Sequence, residues 1–156
     1  MLDGAEAASW AALGNGQKAR ALLARAESRF ADIHMDFEPD WMRFFDRGEL
    51  LAQHGRVYRD LARADRRHGL AAVQSTAEAI NAFSPQNARS SVLNEVGLCS
   101  ALFLADEPEQ AVAVGVRAIE HARGIASPRF STGSATYVTT LPRISECLRS
   151  ASLRMP

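Results

Sequence analysis

The feature that most constrains this chain is a spacing of small residues that occurs three times. Ala19, Leu23 and Ala26 stand at relative positions 0, 4 and 7, and so do Ala72, Thr76, Ala79 and Ala111, Gly115, Ala118. Residues so spaced form one stripe along an α-helix, because a turn takes 3.6 residues. Small side chains at both ends of the stripe let a second helix approach closely. Each stripe follows an apolar helical stretch and a turn, so the chain is expected to consist of helix pairs, each burying its apolar face against its neighbours.

The punctuation between the pairs supports this. Gly14 is placed to end the first helix in a left-handed cap, and a second helix starts near Gly16 and buries Ala19, Leu22, Leu23, Ala26 and Phe30. Asp106 is expected to cap a helix with Pro108 in its first turn, and Asp40 to cap another. The periodicity predicts helices at 3–13, 16–31, 40–63, 69–83, 87–105, 108–125 and 128–151, about seven in all. Gly48 and Pro142 are candidates to break the third and the last. Strands are not expected, since clean alternation is absent and aromatics are only 7% of the residues. The chain therefore reads as all-α and as one domain over 1–156. Its helix pairs fall at approximately 1–33, 39–83 and 84–125, with capping helices at 127–151.

Charge and apolar content narrow the function. The formal net charge is zero, so the chain by itself is not expected to bind nucleic acid. Residues 96–105 form the longest apolar stretch, too short to span a bilayer, and the opening is acidic where a secretory leader would be basic. Cys99 and Cys147 lack metal-type spacing, so a cytoplasmic protein with free thiols is expected. Cys99, flanked by Leu98 and Leu102, reads as a packing residue.

Chemistry-bearing constellations are sparse. His34, His54, His68 and His121 are isolated from one another and from other ligand types, so no metal is expected. No nucleophile elbow or phosphate-cradling glycine loop is present, so neither an enzyme nor a cofactor is expected. Two polar groupings remain. Glu49, Gln53, Arg56, Asp60 and Arg63 form a stripe on one helix, with Arg56 able to pair with Asp60 at i, i+4. Arg89, Ser90, Ser91, Asn94 and Glu95 occupy the polar first half of another helix. Between residues 36 and 46, acids alternate with Phe37, Trp41, Phe44 and Phe45, which reads as a packed turn in preference to an aromatic-lined pocket.

Two stretches carry a family resemblance. One runs Pro39-Asp40-Trp41-Met42-Arg43-Phe44-Phe45-Asp46-Arg47-Gly48-Glu49-Leu50. The other runs Leu104-Ala105-Asp106-Glu107-Pro108-Glu109-Gln110-Ala111, ahead of Ala122-Arg123-Gly124-Ile125 and Ser127-Pro128-Arg129. Together they resemble the tetratricopeptide-like C-terminal sensor domain of helix-turn-helix transcriptional regulators of the actinobacterial type. The resemblance implies a right-handed superhelical array of antiparallel helix pairs, and a sensor part without its DNA-binding domain. A stand-alone adaptor joining two proteins is the alternative. In tetratricopeptide arrays the first helix of each pair lines the concave face, which would make Glu49, Gln53, Arg56, Asp60, Arg63, Arg89, Ser91 and Asn94 a groove for a peptide or protein segment. Arginine suits such a groove because its planar fork grips a carboxylate with two hydrogen bonds. Self-association is expected at Leu2, Trp10 and Leu13.

Overall fold

The computed structural model describes residues 2–33 and 44–125, and all the regular structure among them is helical. Six helices follow one another there: α1 (Leu2–Ala12), α2 (Gly16–Ala31), α3 (Arg47–Ala64), α4 (Gly69–Ala82), α5 (Ala88–Leu104) and α6 (Pro108–Arg123). Single 3-10 turns at Arg66–His68 and Pro85–Asn87 lead into α4 and α5. The chain divides into two compact units, Met1–Ala118 and Ile119–Pro156. In the second unit, the described residues are 119–125, which include the end of α6. The expected capping helix at 128–151, Pro142, Cys147 and the Asp40 cap all lie outside the described residues.

Helix α1 ends as its glycine predicts. Gly14 takes a φ of 76°, and the amides of Gly14 and Asn15 return to the carbonyls of Ala11 and Trp10. Asn15 then caps α2, its side chain accepting from the amide of Lys18 at 3.1 Å.

The start of α3 corrects the expectation of a helix from residue 40, since Phe44, Phe45 and Asp46 are not helical. The cap is Asp46, whose Oδ1 accepts from the Glu49 amide at 3.0 Å. Phe45 just outside the cap and Leu50 in the first turn share one buried cluster, which fixes the angle at which the chain enters the helix. Gly48 does not break α3; it lies in the first turn, where the Phe83 ring packs closely over it.

All three stripes of small residues pack as their spacing requires. Ala19, Leu23 and Ala26 are buried, as are Ala72, Thr76 and Ala79 and the two alanines of the third stripe. Gly115, between those alanines, lies beside the Cys99 sulfur. Helices α3 and α4 approach closely, so that a Cβ added to Gly55 would stand 3.2 Å from the Thr76 Cα. Helix α1 packs on α2 and α3, α3 packs on α4 and α5, and α4 packs on α5. One cluster joins Ala7, Ala11, Ala19, Leu22 and Leu23 to Val57 and Leu61. A second joins Leu98, Leu102, Ala111 and Val114.

Helices α3 and α5 run side by side in the same direction. Asn87 donates to Asp46 and Ser90 donates to Glu49, both across a separation of 41 residues. Further along, Arg66 pairs with Asp106 across 40. Partners that advance together along the chain belong to parallel neighbours.

Asp106 differs from its expected role. Helix α6 starts at Pro108, so Glu107 precedes it, while Asp106 takes a φ of 63° in the turn that closes α5. Left-handed backbone is tolerated by aspartate and poorly by β-branched residues. Asp106→Val should therefore cost about 2 kcal/mol, read as a fall in urea midpoint, while Asp106→Gly should stay within about 0.5 kcal/mol of wild type.

Candidate functional site

The expected groove residues fall on α3 and α5, and the parallel register brings part of the set together. Along α3, Glu49, Gln53, Arg56, Asp60 and Arg63 recur at alternating steps of four and three and share one face. Glu49 is half-buried and its Oε1 accepts from the Ser90 hydroxyl at 3.0 Å. Asn94 turns back on its own helix, donating to the Ser90 carbonyl at 2.9 Å. These residues form a polar seam between α3 and α5.

Gln53 faces the other way along the row, toward α1. Its Oε1 lies where a side chain at Gly4 would begin, and it is buried without a hydrogen-bond partner. It therefore joins α1 to α3 by packing. The expected pairing of Arg56 with Asp60 is replaced, because Asp60 is held by Arg63 one turn on, and Arg56 remains exposed. Arg89 is exposed at the start of α5 and Ser91 is half-buried. The hydroxyl that reaches α3 belongs to Ser90, the neighbour of Ser91.

The structure thus leaves Arg56 and Arg89 exposed, while Arg63 is paired with Asp60 and Glu49 accepts from Ser90. Exposed guanidinium groups next to satisfied acids can take a further carboxylate in two hydrogen bonds. Below the seam, the Arg59 guanidinium lies over Gly97 of α5, and its Nη1 approaches the Thr76 hydroxyl at 3.5 Å. Glu95 of α5 is also buried.

Asp46 and Asn87 extend the seam and were not among the expected residues. Their signal is the motif Asp46-Arg47-Gly48-Glu49, an acidic cap with glutamate three positions on, ahead of an apolar run. Reading it correctly places α3, and a step of 41 residues then leads to Asn87 and Ser90.

A second feature lies between α1 and α2. The Asp3 carboxylate is buried and accepts from Arg25 Nε at 2.9 Å and Arg29 Nη1 at 2.8 Å. The hydrogen bonds from Arg25 are the largest influence holding its pKa below the ordinary 3.8, against the opposing effect of burial. Beside it is a cavity of about 220 Å³ lined by Leu2, Asp3, Ala26, Arg29, Phe30, Ile33 and Phe45. Phe45 meets Phe30 edge-on there, with ring centroids 6.2 Å apart, so it packs as expected, while Phe44 is exposed. The acidic and aromatic residues 36–41 lie outside the described residues.

Cys99 is half-buried, and burial pushes its thiol pKa up, which disfavours the thiolate. Of the residues expected to self-associate, Leu2 and Leu13 are exposed. Trp10 is half-buried, with the Lys18 ammonium 3.7 Å from its ring centroid. Among the described residues, no group of three or more His, Cys, Asp or Glu could hold a metal ion, and no helix is long and apolar enough to cross a membrane. Comparison with family models, with curated proteins and with solved structures returned no match.

Proposed function

We propose that this chain is a tetratricopeptide-like binding module, without catalytic activity, that takes a carboxylate-bearing peptide or protein segment across α3 and α5. The observation that carries the reading is the parallel register of these two helices with Arg56 and Arg89 left exposed on them. Helices that lead successive pairs lie parallel in such arrays. The step of 41 residues exceeds the ~34 of the standard unit. Two three-residue turns, Arg66–His68 and Pro85–Asn87, account for most of the excess. The resemblance to regulator sensor domains further supports a sensor role inside a transcriptional regulator, with a cytoplasmic adaptor as the second reading. The exposed Leu2 and Leu13 favour self-association, which light scattering over a concentration series would test.

The binding test is selection of peptides from a random library on the immobilised protein, followed by calorimetric titration of those enriched. Acidic peptides should be enriched, and their affinity should fall as salt rises. Arg56→Ala should weaken them about tenfold or more, the usual cost of losing a charged hydrogen bond. Asn94→Ala, which removes a side chain bonded to its own helix and no charge, should weaken them less. Enrichment of neutral peptides, or equal affinity for Arg56→Ala and wild type, would refute this placement of the site. To separate sensor from adaptor, the coding sequence upstream of Met1 should be read for a helix-turn-helix domain.

A further inference from the structure

His54 lies one residue past Gln53 on α3 and meets α2. Its side chain is 16% exposed, and its Nε2 is buried with no hydrogen-bond partner. The Glu27 carboxylate of α2 stands 3.6 Å from that nitrogen, beyond hydrogen-bond reach. Glu27 is already engaged, because Arg47 at the start of α3 donates to its other oxygen. Among the described residues, the charged groups that act on the imidazole are Glu27 from α2, Arg47 from α3 and Glu78 from α4; α1 and α5 supply none.

A neutral imidazole can leave one ring nitrogen as an unused acceptor at modest cost. An imidazolium has two N–H donors and a full charge, both of which need partners once water is excluded. Here the Glu27 carboxylate, 3.6 Å away, is shared with an arginine that repels the new charge, and Glu78 acts without an ion pair. We propose that His54 is an acid-sensitive latch on the joint between α2 and α3: neutral, it lets the helices close, and protonated, it loosens them.

The balance of influences agrees with this direction. Burial is the largest and lowers the His54 pKa below the ordinary 6.5, the attraction of Glu27 opposes it, and Arg47 adds to the lowering. A histidine whose folded pKa is depressed stabilises the fold fully above the unfolded value, near 6.5. That stabilisation is lost as the pH falls through the unfolded value toward the folded one. Each unit of depression makes the acid-opened state about tenfold more populated. The latch holds together the end of the molecule that carries Glu49 and Gln53, but the inference does not depend on what those residues bind.

The test combines a proton NMR titration of the histidine rings with urea unfolding at pH 7.5 and 5.5. The His54 resonance, identified by its loss in His54→Gln, should titrate below pH 6.5. It should titrate lower still in wild-type protein than in the variant Arg47→Gln, which lacks the repelling charge. The urea midpoint of wild type should fall between pH 7.5 and 5.5, and His54→Gln should keep at least half of what wild type loses. Should His54→Gln fail to fold, amide hydrogen exchange on wild type decides the matter. Protection at residues 22–26 and 50–54 should then drop at pH 5.5, after correction for intrinsic rates, while that of α4 and α5 holds. A His54 titration at or above 6.5 would overturn the proposal, because the Glu27 pair would then outweigh burial. The same pH dependence in His54→Gln as in wild type, or a uniform change in exchange, would also overturn it.

Discussion

Valine in place of Gly55 should lower the stability of the first unit by about 3 kcal/mol, seen as a fall of roughly 10 °C in melting temperature. Gly55 sits where α3 and α4 cross. A Cβ there would stand 2.3 Å from the Thr76 hydroxyl oxygen and 3.2 Å from both the Cα and the Cβ of Thr76. Thr76 cannot turn away, since it is fully buried and its hydroxyl donates to the Ala72 carbonyl at 2.7 Å. The helices must therefore separate, and the loss outweighs the roughly 0.4 kcal/mol of helix propensity gained when valine replaces glycine. A double-mutant cycle isolates the cause. In a Thr76→Ala background, which removes the oxygen, Gly55→Ala should cost at least about 1 kcal/mol less than it does in wild type. Additive effects would mean that the crossing is looser than described.

Leu50→Ala should cost about 3 kcal/mol, through lost burial and the cavity left behind. Leu50 is 1% exposed and packs with Ala26, Phe30 and Phe45 where the first turn of α3 meets α2. The substitution removes one half of the Phe45–Leu50 contact that orients the chain entering α3, so the cap loses support as well as the core. Leu50→Met, which conserves volume, should cost less than about 1.5 kcal/mol. Equilibrium urea unfolding checks both. A loss under about 1 kcal/mol for the alanine variant would place the start of α3 elsewhere.

The six described helices are legible because their signals are local. Apolar spacing, Gly14 as a cap and Pro108 as a first helical residue each act within a few positions, and the observed bounds follow them closely. The start of α3 departs from expectation because two aspartates compete for the cap. Asp40 precedes aromatics that suggest helix, whereas Asp46 precedes the glutamate and leucine that complete the capping arrangement. The partner of Asp60 departs for a related reason: Arg56 and Arg63 are both one turn away, and the one that pairs with it is Arg63.

What the sequence alone determined is the all-helical character and the stripes along which the helices touch, since both depend on periodicity and on the size of side chains near in the chain. Tertiary structure decided which polar residues meet. The partners Asp46 and Asn87, or Glu49 and Ser90, are separated by 41 residues, and no local rule relates them. Their contact depends on the lengths of the helices and turns between them summed together, and an error of one residue in any of them rotates a face by about 100°. The same holds for His54 and Glu27, whose approach exists only because α2 folds against α3.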